Sequence, residues 1–175
     1  YGLTKFGGVL YVPAVVSVSL AREMAPLFTS LLIAGRIGSG MASEIGSMTV
    51  TEQIDAIRAL GTSPIRTLVV PRFLASIISL PLLTSLSFSL GILGGMIVCV
   101  NEFDLPAGLY FNKVLATVKM PDFISGLVKS SIFGAIIALV GCYRGLTTKD
   151  GTKGVGESAT WVVVTSSICI LITDF

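Results

Sequence analysis

The sequence contains no histidine. That absence removes the side chain most used for acid–base work near neutral pH, and the commonest metal ligand with it. Charge is nearly as scarce. Asp, Glu, Lys and Arg make up 13% of the chain, against about a quarter in an ordinary soluble domain. Too few charges remain to cover a water-facing surface, so lipid must solvate much of it. The net charge of +2, with no basic tract, gives no sign of a nucleic-acid partner. The three cysteines, Cys99, Cys142 and Cys169, stand singly in apolar surroundings without CxxC spacing. They read as buried small hydrophobes rather than a disulfide or metal set.

Nucleotide motifs are missing as well. The stretch GRIGSG at 35–40 has three glycines and an arginine, yet no Gly-Lys-Ser/Thr follows it. Its G-x-x-G-x-G spacing also differs from the dinucleotide fingerprint, and no credible strand precedes it. GTKGVGES at 151–158 lacks the same ending. The chain is therefore expected to need no cofactor and to bind no ATP itself.

What is present is apolar length: 53% of residues are hydrophobic and the mean hydropathy is +0.89. Phe73 to Asn101 holds no charged side chain, and neither does Ser158 to Thr173. Ile124 to Tyr143 is interrupted only by Lys129, which could snorkel outward. Pro13 to Ala42 is mostly apolar but carries Arg22, Glu23 and Arg36. At about 20 residues per crossing, these stretches predict an all-α polytopic transmembrane bundle. Its spans fall at about residues 13–42, 72–100, 123–143 and 158–175. Pro81 predicts a kink or a displaced start in the second span. Residues 101–121 read as an outer segment with a short amphipathic helix, and 145–156 as a flexible inner loop.

Arg58, Arg66, Arg72, Arg144, Lys149 and Lys153 fall on one side of this arrangement, and Lys5, Lys113 and Lys119 on the other. The positive-inside rule makes the first side cytoplasmic. The chain starts at Tyr1 with no signal peptide, and this topology puts that end outside. An untranslocated amino terminus would then require an odd number of preceding spans, most simply one.

Between the first two spans, Thr49 and Glu52 have the spacing of a capping box, with Gly61 and Pro64 as stop signals. A helix of roughly three turns is expected at about 50–60, with Val50, Ile54, Ile57 and Gly61 on one face. Such a helix either docks a partner or is a solvated connector. Gly35 and Ser39, Gly38 and Ala42, and Gly91 and Gly95 form small-xxx-small pairs suited to close helix approach in lipid. Arg22 and Glu23, beside Pro26, either form a mutual ion pair or mark a cavity on the outer half.

Residues 21–75, AREMAPLFTSLLIAGRIGSGMASEIGSMTVTEQIDAIRALGTSPIRTLVVPRFLA, closely resemble the MlaE-type permease family of ABC transporters. The matching features run in order: RE–AP, AGR–GS, AE–G-M, TEQIDA and P-I–L-V-PR. Ser43 replaces the usual alanine before Glu44. The resemblance continues more weakly through SLPLL and GILGG to the final TDF. It implies a phospholipid transporter of the bacterial inner membrane, with a chloroplast-envelope relative. It also implies that two permease copies pair, that each binds a cytoplasmic ATPase which holds the ATP, and that an outer-side MCE-domain protein exchanges lipid with them. The family has five spans after an interfacial helix, so four are visible here. The resemblance makes the TEQIDA helix a coupling helix, with Glu52, Gln53, Asp55 and Arg58 as contacts. Arg22, Glu23 and Leu27 are the candidate cavity residues, with Arg22 toward the lipid phosphate. An ion-coupled secondary transporter would instead need paired mid-membrane acids and repeat symmetry, and a membrane-embedded lipid enzyme clustered acids or a histidine base. Neither pattern is evident.

Overall fold

The computed structural model describes residues 11–149 and 151–175, and every described element is helical. Four helices are long and apolar enough to cross a membrane: α1 (Val12–Val50), α3 (Ile65–Phe103), α5 (Met120–Leu146) and α6 (Gly151–Asp174). The short helices α2 (Gln53–Ala59) and α4 (Ala107–Thr117) lie between them. On one side of α3, Ile78, Leu82, Leu86 and Leu90 recur every fourth residue and are all exposed. That row of bare leucine and isoleucine suits hydrocarbon, not water.

The opposite logic builds the core. Helix α5 packs against α1, α3 and α6, and the face it buries is small: Gly126, Ser130, Gly134, Ala138, Gly141 and Gly145. A Cβ added at Gly134 would lie 2.6 Å from the Ser76 carbonyl oxygen, and one at Gly145 2.7 Å from the Ile45 Cβ. Backbones can approach this closely only where a side chain is missing, which is how helices associate in lipid without a hydrophobic driving force. Around this seam Ala34, Leu80, Phe133, Ile137 and Ile170 form the largest apolar cluster.

Several elements differ from their sequence-based bounds. Helix α1 runs on to Val50, well past residue 42, and contains two π-helical segments, Leu20–Met24 and Ala34–Gly38. Pro26 explains the first. Its ring would clash with the carbonyl four residues back and it has no N–H to donate. Widening the preceding turn relieves both problems, and the Ala21 carbonyl lies against Gly126 of α5. Pro81 neither breaks nor delays α3, which begins seven residues before the expected start with another π segment, Ile65–Val69. The segment 145–156 is not a long loop. Helix α5 ends at Leu146 and α6 is already formed at Gly151. Thr148 and Ser158 hydroxyls meet at 3.0 Å to close the connection. The short outer helix stands as α4, with its fully buried Tyr110 donating to the Ile92 carbonyl at 3.2 Å.

The small pairs divide by position. Gly38 and Ala42 face the Gly141–Gly145 stretch of α5, where a Cβ on Gly141 would sit 3.1 Å from the Gly38 oxygen. Gly91 meets Leu20, and Gly95 meets the Tyr110 hydroxyl. Gly35 departs from the expected role: a Cβ there would have no neighbour within 4 Å. Gly35 is exposed, whereas Gly38 in the same π segment is buried against Ile137 and Val162.

Candidate functional site

Two regions of the bundle concentrate polar chemistry, one at each end. At the end carrying α4, the first π segment of α1 presents Arg22 and Glu23 on adjacent positions. They do not pair with each other. Arg22 reaches across to Asp122 in the first turn of α5, with Nε 2.7 Å and Nη2 2.5 Å from Oδ1. Glu23 accepts from Lys129 Nζ at 2.7 Å, and the same ammonium contacts Asp174 Oδ1 at 3.3 Å and its carbonyl at 3.4 Å. Lys129 therefore does not snorkel outward, because two carboxylates hold it inside the bundle end.

The result is two parallel charge links that tie α1 to α5, one of them continuing to the last turn of α6. Asp122 is only 10% exposed at its side chain, while Arg22 is 57% exposed. The acid also receives the Lys119 backbone N–H at 3.2 Å, so it caps α5 and neutralises Arg22 at once. Arg22 keeps its Nη1 outside both bonds to Asp122 and can still donate to a polar ligand. Leu27, one turn further along α1, packs against the apolar cluster. Sequence reasoning does not single out Asp122 and Asp174. The usable signal is KMPD at 119–122, with proline and aspartate in the positions that open a helix.

A separate apolar groove of about 330 Å³ runs between α3, α4 and the start of α5, lined by residues including Phe88, Ile92, Leu115, Met120 and Phe123. Among the described residues, no three Cys, Asp or Glu side chains gather closely enough to hold a metal ion.

At the opposite end, α2 projects from the bundle. Ile54 is its anchor, 3% exposed and packed with Ile45 of α1 and Cys142 of α5. Glu52, Gln53, Asp55 and Arg58 are exposed, and Arg58 donates to Asp55 at 3.0 Å. The capping box is not formed. Because α1 continues to Val50, Thr49 sits in its last turn and its hydroxyl donates to the Ile45 and Gly145 carbonyls at 2.9 and 3.0 Å. Glu52 takes a left-handed conformation (φ 60°) as the hinge into α2, without a side-chain cap. Gly61 does act as the stop: its φ of +76° is a conformation that glycine adopts without a Cβ penalty. Nearby, Arg72 pairs with Glu44 at 2.9 Å, linking α1 to α3.

GRIGSG lies wholly within α1. Its amides are committed to helical hydrogen bonds and cannot cradle a phosphate, as a nucleotide loop must.

Comparison with known proteins shows the family. The family described as Permease MlaE matches residues 1–175. A probable ABC transporter permease from Synechocystis sp. is 46% identical over 97% of the chain. A probable ABC transporter permease from Rickettsia felis is 41% identical over 99%. The chloroplastic protein TRIGALACTOSYLDIACYLGLYCEROL 1 of Arabidopsis thaliana is 38% identical over 98%. The chain spans 65%, 67% and 49% of these relatives' respective lengths. With four helices among the described residues long and apolar enough to cross a membrane, and a family match along all of its length, this chain is a membrane protein that belongs to the MlaE permease family of ABC transporters.

Proposed function

We propose that the chain is the permease subunit of an ABC transporter that moves phospholipid between the bacterial inner membrane and an outer-side MCE lipid carrier. It works as a pair of copies. Each copy binds a cytoplasmic ATPase that holds the ATP, and the permease contributes no catalytic site. The observation that carries this reading is α2, a short helix held outside the bundle by one buried isoleucine, with Glu52, Gln53, Asp55 and Arg58 turned to the open side.

In this mechanism, closure of the ATPase dimer presses on α2. Ile54 passes the load to Ile45 and Cys142, so α1 and α5 move against each other. The far ends of the same two helices are joined by Arg22–Asp122 and Glu23–Lys129. Relative motion there would free Arg22 for a headgroup phosphate, while apolar walls hold the acyl chains. A relative named after a galactolipid supports a lipid cargo.

The test uses the full-length permease reconstituted with its ATPase. Reversing Glu52 and Asp55 to lysine should abolish assembly with the ATPase, or nucleotide-dependent lipid movement, while the thermal stability of the bundle stays unchanged. Assembly and transport at wild-type levels would reject the role given to α2.

A further inference from the structure

The α2 end of the bundle holds a second polar feature that the transport reading does not use. A cavity of about 180 Å³ lies between the last turn of α5 and the first turns of α6, lined by Arg144, Thr147, Lys149, Gly154, Glu157 and Ser158. Unlike the groove near α4, its walls are polar.

Arg144 is the organising side chain. Its guanidinium lies over the Trp161 ring, 5.1 Å from the centroid, a stacking that fixes the group without neutralising its charge. Its Nε is buried and has no hydrogen-bond partner among the described residues. No carboxylate pairs with Arg144 among the described residues. Lys149 adds a second cation to the lining. The one described carboxylate there, Glu157, is 4.0 Å from Lys153 on its own helix. Helix α6 starts at Gly151, and no acidic residue falls in its first turn.

We propose that this cavity binds a phosphate-type oxyanion, carried by the headgroup of an anionic phospholipid in the adjoining leaflet. A cation set between helix ends at a membrane surface suits that chemistry. Trp161, 41% exposed one to two turns below the rim, suits the depth of the lipid interface. The arginine recognises the phosphate oxygens, and the lysine supplies a further point charge.

The proposal is tested on the full-length permease in zwitterionic nanodiscs, titrated with short-chain phosphatidylglycerol, with phosphatidylcholine of the same chain length, or with inorganic phosphate. Thermal unfolding is the readout. Phosphatidylglycerol should raise the midpoint saturably, with phosphatidylcholine inactive. Lys149→Gln, an exposed substitution, should weaken half-saturation about tenfold, which corresponds to about 1.4 kcal/mol. Glu157→Gln should tighten it by removing a competing negative charge. Saturable stabilisation by inorganic phosphate alone, lost in Lys149→Gln, would support the oxyanion site and assign it to a soluble anion. Equal responses to the two lipids, or a Lys149→Gln titration that overlays the wild type, would overturn the proposal. Neither result depends on the ATPase, so the outcome is separable from that of the transport test.

Discussion

Asp122 serves two partners with one carboxylate, the amide that opens α5 and the guanidinium of Arg22. Replacing it with asparagine keeps the shape and a capping oxygen but leaves Arg22 without a counter-charge. Since Arg22 is more than half exposed, water offsets much of the loss. A double-mutant cycle of Asp122→Asn with Arg22→Met should therefore give a coupling energy of roughly 1 kcal/mol in chemical denaturation of the purified protein. A coupling of zero would mean that the pair is incidental. At this scale the sequence exposes the charges but not their pairing. Arg22 and Glu23 look like natural partners because they are neighbours. Adjacent residues on a helix point away from each other, and each finds its counter-ion about a hundred positions away on α5.

Among the elements, α5 decides how tightly the bundle closes. Gly134 lies where the Ser76 carbonyl approaches most closely, and a side chain there has no room without moving α3. Gly134→Leu should destabilise the bundle by roughly 1–3 kcal/mol, read as an earlier unfolding transition in detergent. The same substitution at Gly35, which meets nothing within 4 Å, should leave that transition unchanged. The two glycines cannot be told apart by sequence, since both belong to apolar helices. What separates them is which side of the helix meets a neighbour. The π segments are equally hidden: Pro26 announces a distortion, but whether a proline kinks, ends or widens a helix depends on where the freed carbonyl finds room. Here Gly126 supplies that room.

For the whole molecule, the alternation of four crossing helices puts α2 and α4 at opposite ends. Single cysteines in a cysteine-free background report this directly. With the cytoplasmic side assigned by the positive charges, a membrane-impermeant maleimide added to intact cells should label Gly108→Cys. It should leave Ala56→Cys unlabelled until the membrane is opened. Both positions are exposed in the isolated chain, so the permease is expressed without its ATPase to keep α2 uncovered and make labelling report sidedness. The reverse pattern would invert the assigned orientation.

The sequence by itself determined the class of the molecule: all-α, membrane-crossing, with α2 between the first two long helices and the family motif from Ala21 to Ala75. Those features follow from local chemistry, because apolar length, glycine and proline act on the segment that contains them. Only the tertiary structure decided that Lys129 bridges two acids, that Thr49 finishes α1 instead of starting α2, and that residues 151–156 are helix. The first two depend on a partner distant in sequence, Glu23 and Asp174 for Lys129 and the Gly145 carbonyl for Thr49. The third rests on the close turn in which Thr148 meets Ser158.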